Sequence, residues 1–483
     1  RIVAKIREAF AIELPLRTLF DTPNVAGLAL ALERSGGASA SVPLPRERPA
    51  RPALSFAQQR MWFLWQLDPG SDAYNMPVAL ELDGALDRLA LERALAALLE
   101  RHEALRSCFP SEEGEVYQQV LPASRFSLSF SDLRAEADPH GEAQALRMAQ
   151  ARAAFDLVHG PLLRGQLLRL GEQQHQLLLT LHHMVGDGWS MDILVRELGQ
   201  LYAAERAGAD AALPALPIQY IDYALWQRDW LAGGEGARQL DYWQAQLEGA
   251  PRILELPADH PRPAQQSYRG AHVCVNVPGA LAGALVRQAQ GQQVTPFMLL
   301  LAAFNVLLHR YARQDDLCVG VPVANRLRGE CEGLIGLFVN TQVLRTQVDP
   351  AQPFSALLVQ VRDNVLAAQA HQDLPFEQLV EALQPERSLS HNPLFQVLFS
   401  LQRHDVRLRD QLPGLQMSSL PGERRTAQVD LGLFVDQRGE QQFECTFNYA
   451  SDLFERASIE RMAGHFLQLL EALLAEPAQP LGR

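Results

Sequence analysis

Residues 176–190 read QLLLTLHHMVGDGWS, and this stretch decides the fold. Gln176–Leu181 is apolar on both faces, as expected of a strand buried within a covered sheet. His182 and His183 stand at its end. Gly186-Asp187-Gly188 follows as a turn, and Gly188–Ala204 has helical spacing. Strand, sharp turn and helix in that order point to a mixed α/β fold. Alternation places His183 on the side of Leu181 and Leu179, with His182 opposite. One imidazole can then face a cleft while the other packs inside. Gly186 and Gly188 allow a tight turn and close approach of backbone to a ligand. Asp187, beside a helix N-terminus, is stabilised as a carboxylate and can be tethered by an arginine. A lone histidine here would read as core packing. A doubled histidine followed by Asp-Gly between strand and helix points to function. Adjacent histidines on a strand diverge, whereas zinc needs three or four converging ligands, so no metal is expected. No G-x-S-x-G elbow occurs, which argues against a Ser–His–Asp triad.

Working outward, Leu86–Arg101 reads as a helix. Pro296–Arg310, Leu317–Val323, Phe354–Ala370 and Leu394–Leu401 read as helix, strand, helix and strand. Gln442–Tyr449 is a further strand and Ile459–Ala475 a closing helix. The Pro-rich stretch 251–270 reads as a connection between two α/β lobes of roughly 200 residues each, 53–250 and 271–483. At the start, Ile2, Ile6, Ala9 and Phe10 fall on one helical stripe within Arg1–Phe10. Asp21-Thr22-Pro23 supplies a cap and a first-turn proline for a second helix, Asn24–Arg34. Two helices this short cannot build their own core, so 1–34 reads as the end of a helical domain. Residues 35–52 are rich in Gly, Ser, Pro and Arg, and read as an extended linker.

Composition narrows the function. The 483 residues suggest about three domains. A 47% hydrophobic, 20% charged chain buries a sizeable core. The net charge of −13 argues against nucleic acid, which is held by basic side chains, but leaves room for local basic patches. Five widely spaced cysteines without C-x-x-C exclude a disulfide scaffold and suit a reducing, cytoplasmic setting. No apolar run of about 18 residues occurs, so no membrane span is expected. The chain begins at Arg1, without a Met, and is expected to be a piece of something longer.

His182–Gly188 matches H-H-x-x-x-D-G, and six other segments extend the likeness. These are Ser55–Leu64, Arg101–Phe109, Tyr220–Trp226, Ile335–Gln342, His371–Glu377 and Arg387–Leu394. Together, in this order, they resemble the seven motifs of the condensation domains of nonribosomal peptide synthetases. Residues 1–34 resemble the C-terminal part of a peptidyl carrier domain. They lack the region of the serine that takes phosphopantetheine, and Ser39 reads as linker. The resemblance implies two chloramphenicol acetyltransferase-like lobes in a V-shaped pseudo-dimer. It places the signature at their junction, in a tunnel open to a donor and an acceptor carrier domain. An adenylation domain is expected to follow Arg483. Phosphopantetheine is expected on the carriers, with no cofactor held by this chain.

The resemblance also distributes roles. His183 is the expected catalytic residue, as base or as positioner of the acceptor amine; a neutral imidazole with pKa near ~6.5 can accept its proton. His182 and Asp187 are expected to be structural, with Asp187 paired to Arg101, or failing that to Arg106. Gly188 is expected to admit the thioester or its pantetheine arm. Trp189, Ser190, Asn340 and Thr341 are candidates for the tunnel wall, with core packing the plainer reading of Trp189. Tyr220, Asp222 and Trp226 are expected to pack the first lobe. His140, His159, His260 and His465 read as ordinary surface or packing residues. The intact histidine pair argues against a heterocyclization domain. An epimerization domain shares the signature but fits the fifth and sixth segments less well. A dual epimerization/condensation domain should carry a further His-rich motif, absent from residues 40–100. The phrasing of 55–77 resembles the subtype that takes an L-configured donor. The rival from another class is a non-catalytic docking module that recruits a partner enzyme.

Overall fold

The computed structural model describes residues 2–10, 12, 14, 16–22, 24–34, 42–384, 388–404, 412, 414–420 and 426–482. Two sheets organise it. The first runs in the order Leu415–Ser419, Asn75–Gly84, Gln174–His182, Leu163–Arg169, Leu128–Asp132. Its pairs are antiparallel except the last, which is parallel. The second runs Asn340–Gln347, Asp316–Val323, Val397–His404, Leu431–Arg438, Phe443–Ala450, Gly270–Asn276. Its two central pairings, on either side of Val397–His404, are parallel. This is the mixed α/β, two-lobed architecture expected; both sheets are open.

The expected strand over 176–181 runs from Gln174 to His182, and every residue from His175 onward is buried. The following helix, Gly188–Ala207, packs with Arg88–Arg101 on that sheet; Leu91, Leu95, Leu98, Ile193, Leu194 and Leu198 fill the space between. In the second lobe, Pro296–Ala312 is buried almost all round, its core residues running from Met298 to Leu308. It is capped by Thr295, whose hydroxyl accepts from the Met298 amide at 3.2 Å. No single helix among the described residues is long and apolar enough to cross a membrane.

Two pieces cross the expected 53–250 and 271–483 division. Strand Leu415–Ser419 leaves the second lobe and completes the first sheet beside Asn75–Gly84. Helix Gly236–Leu247 buries Trp243 and Leu247 in the second lobe's core, where the Trp243 indole donates to the His371 carbonyl at 2.8 Å. The 251–270 connection is also pinned: the Leu254 amide donates to Gln396 Oε1 at 2.7 Å, and Arg262 forks onto Asp430. Near the start, Asp21 closes a helix, Leu16–Asp21, that the sequence did not announce. Asn24, not Asp21, caps the next one, Val25–Arg34, by accepting from the Gly27 amide at 2.8 Å. Pro23, Ser39 and Arg387 lie outside the described residues.

Candidate active site

The strand ends at His182, and His183–Val185 form one 3-10 turn before the helix. His182 therefore faces inward. Its ring is buried, lies edge-on to Phe155 with centroids 5.9 Å apart, and accepts from the Met184 amide at Nδ1, 3.1 Å. Burial, with His183 and Arg164 nearby, pushes its pKa down to about 3. It is a neutral structural acceptor that holds the turn. His183 stays partly exposed at the lobe junction, its amide donating to the Tyr74 carbonyl at 2.9 Å. Its Nδ1 is buried without a hydrogen-bond partner. Burial lowers its pKa below the usual imidazole value, against the opposing pull of Asp187. Burial thus favours the neutral form of the ring.

Asp187 is a fully engaged staple. Oδ1 accepts from the Ser190 amide at 2.8 Å, the Ser190 hydroxyl at 2.7 Å and Arg326 Nη2 at 3.0 Å. Oδ2 accepts from the Phe338 amide at 3.0 Å. The carboxylate caps the helix and binds the two lobes together. The expected partners were wrong. Arg101 instead pairs with Glu197 at 2.9 Å and donates to the Pro214 carbonyl. Arg106 donates to the carbonyls of Leu99 and Leu121, both at 3.0 Å. Both sit in the first lobe and organise its loops, whereas the tether comes from the second lobe. Arg326 also donates to the Cys331 and Leu334 carbonyls at 2.7 and 2.6 Å, and its guanidinium lies 4.0 Å from the Phe338 ring centroid. Arg326 lies three residues past the strand Asp316–Val323, after Asn325 in the left-handed region at φ 51°.

Ser190 is fully buried and lines no open space, whereas Asn340 is half-buried. The buried Ser190 hydroxyl lies 2.7 Å from Asp187 Oδ1 and 2.9 Å from the Gly336 carbonyl, with one proton to share between them, and accepts from Arg326 and the Gly336 amide. The Asn340 side chain is spent on the carbonyls of Gln372 and Leu374 and the amides of Thr341 and Phe376. It ties the fifth segment to the sixth. Trp189 donates to the Glu332 carbonyl at 3.1 Å and packs at the junction, in keeping with its plainer reading. Thr341 is half-buried. Gly188 is exposed, and a Cβ built there would meet only Gln402 Nε2, at 3.9 Å. Neither clash nor left-handed backbone demands glycine at that place.

An apolar seam closes the junction from behind. Met184, Val185, Tyr220, Tyr223 and Trp226 bury against Leu334, Leu337 and Phe338. The Tyr220 hydroxyl donates to the Leu337 carbonyl at 2.5 Å. A Cβ on Gly336 would fall 2.0 Å from the Tyr220 ring, so glycine is required there for packing. Arg60 joins Glu377 across the junction at 3.3 Å.

The comparisons with known proteins give the family and the fold. Residues 51–483 match the Condensation domain family. The chain belongs to that family, as a condensation domain of the nonribosomal peptide synthetase type. It is 42% identical to malpinin synthetase of Mortierella alpina across 96% of its own length, which is 6% of that protein. It is 41% identical to the phosphinothricin tripeptide synthetase PhsB of Streptomyces viridochromogenes, covering 100% of this chain and 41% of that one. The chain therefore spans only a part of these relatives. Among solved structures, the X-domain from teicoplanin biosynthesis superposes with TM-score 0.83 at 29% identity, covering 91% of this chain and 99% of that one. The four-domain nonribosomal peptide synthetase AB3403 superposes with TM-score 0.81 at 26% identity, covering 92% of this chain and 35% of that one.

Proposed function

We propose that the lobe junction joins two carrier-bound substrates through an amide bond. The amine of an acceptor aminoacyl thioester attacks the carbonyl carbon of an upstream donor thioester. The new C–N bond forms, the C–S bond breaks, and the donor carrier's thiol leaves. The proton that the amine loses ends on the departing sulfur, either by way of His183 Nε2 as base or directly, with His183 holding the amine in place. The carrying observation is the state of the turn. Asp187 and His182 are committed to structure, while His183 is a partly exposed imidazole whose Nδ1 is buried, which leaves Nε2 as the nitrogen able to meet a substrate. A neutral imidazole in this position suits general-base or hydrogen-bonding catalysis. Holding both substrates in one junction supplies further rate through proximity.

Phosphopantetheine arrives on donor and acceptor carrier domains and supplies the thioester; this chain holds no cofactor of its own in this reading. The helices within 2–34 are the tail of the donor's carrier domain, and an adenylation domain follows in the whole protein. The donor is L-configured. Epimerization, alone or in a dual domain, is the alternative chemistry. The X-domain of teicoplanin biosynthesis has been solved in complex with OxyB, which supports partner docking as the second reading. The intact turn favours catalysis here.

Loaded donor and acceptor carriers supplied to the domain test both points. A dipeptidyl thioester on the acceptor carrier supports the reading, and none would refute it. Matched L- and D-aminoacyl donors decide the subtype; equal or preferential use of the D-donor would overturn the L assignment.

A further inference from the structure

Two motif carboxylates have no part in the chemistry above: Glu103 and Asp222. Both meet Arg48. Its Nε and Nη2 fork onto Asp222 Oδ1 and Oδ2, each at 3.0 Å, and Nη1 reaches Glu103 Oε2 at 2.7 Å. The Asp222 side chain is 4% exposed and that of Arg48 29%. Two more arginines of the same segment are paired on the first lobe. Arg46 meets Asp229 at 2.6 Å, and Arg51 meets Glu112 and Glu113. Backbone bonds continue the attachment, with the Gln118 amide donating to the Pro52 carbonyl at 2.9 Å. Pro43, Pro45, Pro49 and Pro52 restrict the chain between these points.

The Arg48 notch is wired into the junction. Asp222 also accepts from the Gln219 amide at 2.8 Å, at the start of helix Tyr220–Trp230. Gln219 in turn holds the Arg101 carbonyl and the Glu103 amide. The first residue of that helix, Tyr220, grips Leu337 across the lobes.

We propose that residues 46–51 are a docked strap, and that the Asp222–Glu103 notch is its receptor. Arg48 is the key, because a planar fork in a half-buried site recognises a carboxylate far better than a lysine's point charge. The chain upstream of Arg46, where Pro43 is also buried, then starts from a fixed point on the first lobe. On the functional reading above, this sets how far a cis-linked carrier can reach; the docking itself does not depend on that reading.

Limited trypsin digestion of the whole 483-residue chain tests it, with the cut after Arg46 followed by mass spectrometry. Prolines protect the bonds after Arg48 and Arg51, so the 46–47 bond is the reporter. Arg48→Ala should raise the rate of this cut at least tenfold, and Arg48→Lys should give an intermediate rate. Amide exchange over 50–53 should rise with it. Should Arg48→Ala fail to fold, Arg48→Lys alone decides. The strap is refuted if wild type is cut after Arg46 as fast as a free peptide, or if both variants match wild type within twofold. A wild type that forms no amide yet protects the strap would overturn the functional reading and leave the strap standing.

Discussion

Replacing Arg326 with alanine removes the second lobe's cation from the staple at Asp187. The Asp187 carboxylate would keep its bonds from Ser190 and Phe338 but lose its opposite charge in a buried site. The carbonyls of Cys331 and Leu334 would also lose the Arg326 donor, with backbone amides remaining on Cys331. Breaking one side of a buried ion pair costs about 3–5 kcal/mol. Unfolding entropy of about 2.1 cal/mol/K per residue gives about 0.9 kcal/mol/K for a unit of about 430 residues. The melting temperature should therefore fall by about 3–6 °C. Differential scanning calorimetry at pH 7 measures this directly. Adding Asp187→Asn to Arg326→Ala should cost much less than the two single losses combined, because the partners share one interaction. A fall of under 1 °C for Arg326→Ala, or simple additivity of the pair, would refute the staple.

Two glycines should behave in opposite ways. Gly336→Ala drives a methyl into the Tyr220 ring and should lower the melting temperature along with activity. Gly188→Ala has room, so its melting temperature should stay within 1 °C of wild type while amide formation falls at least tenfold; equal activity would mean that no substrate uses that space. The His182 pKa lies near 3 in the folded chain, against an unfolded value near ~6.5. Its neutral form is favoured by folding, so its contribution is complete above pH ~6.5 and is lost as pH falls toward 3, at about 1.4 kcal/mol per pH unit. Between pH 7 and 5, urea unfolding of wild type should lose about 2 kcal/mol more than His182→Gln, which carries no such proton. Identical pH slopes would show that His182 is not buried as a neutral group.

The elements were legible where the pattern was local. The helix from Gly188 and the strand from Asp316 follow from periodicity and burial, within two or three residues of their observed bounds. The staple was only half legible. Asp187 before a helix announces an N-cap and an arginine partner, but Arg326 lies 139 residues away and no local spacing links them. Strand Leu415–Ser419 was missed for a similar reason: its place beside Asn75–Gly84 is set by a crossing of the lobes, while its own five residues are short and mixed. Ser190 and Asn340 looked like candidates for a wall because they are polar and sit near the junction. Their hydroxyl and amide are consumed in holding backbone across it, which only the packed structure reveals.

The most direct measurement is single-turnover amide formation with preloaded donor and acceptor carriers, comparing wild type with His183→Ala. The Asp187 staple and the His182 bond to the Met184 amide stay in place without the His183 ring, so the variant should melt within about 2 °C of wild type. Its rate should fall by about 10²–10⁴-fold, the usual contribution of a positioned acid–base group. A folded His183→Ala chain that forms the dipeptidyl thioester within about threefold of the wild-type rate, well short of that range, would contradict the assignment of His183.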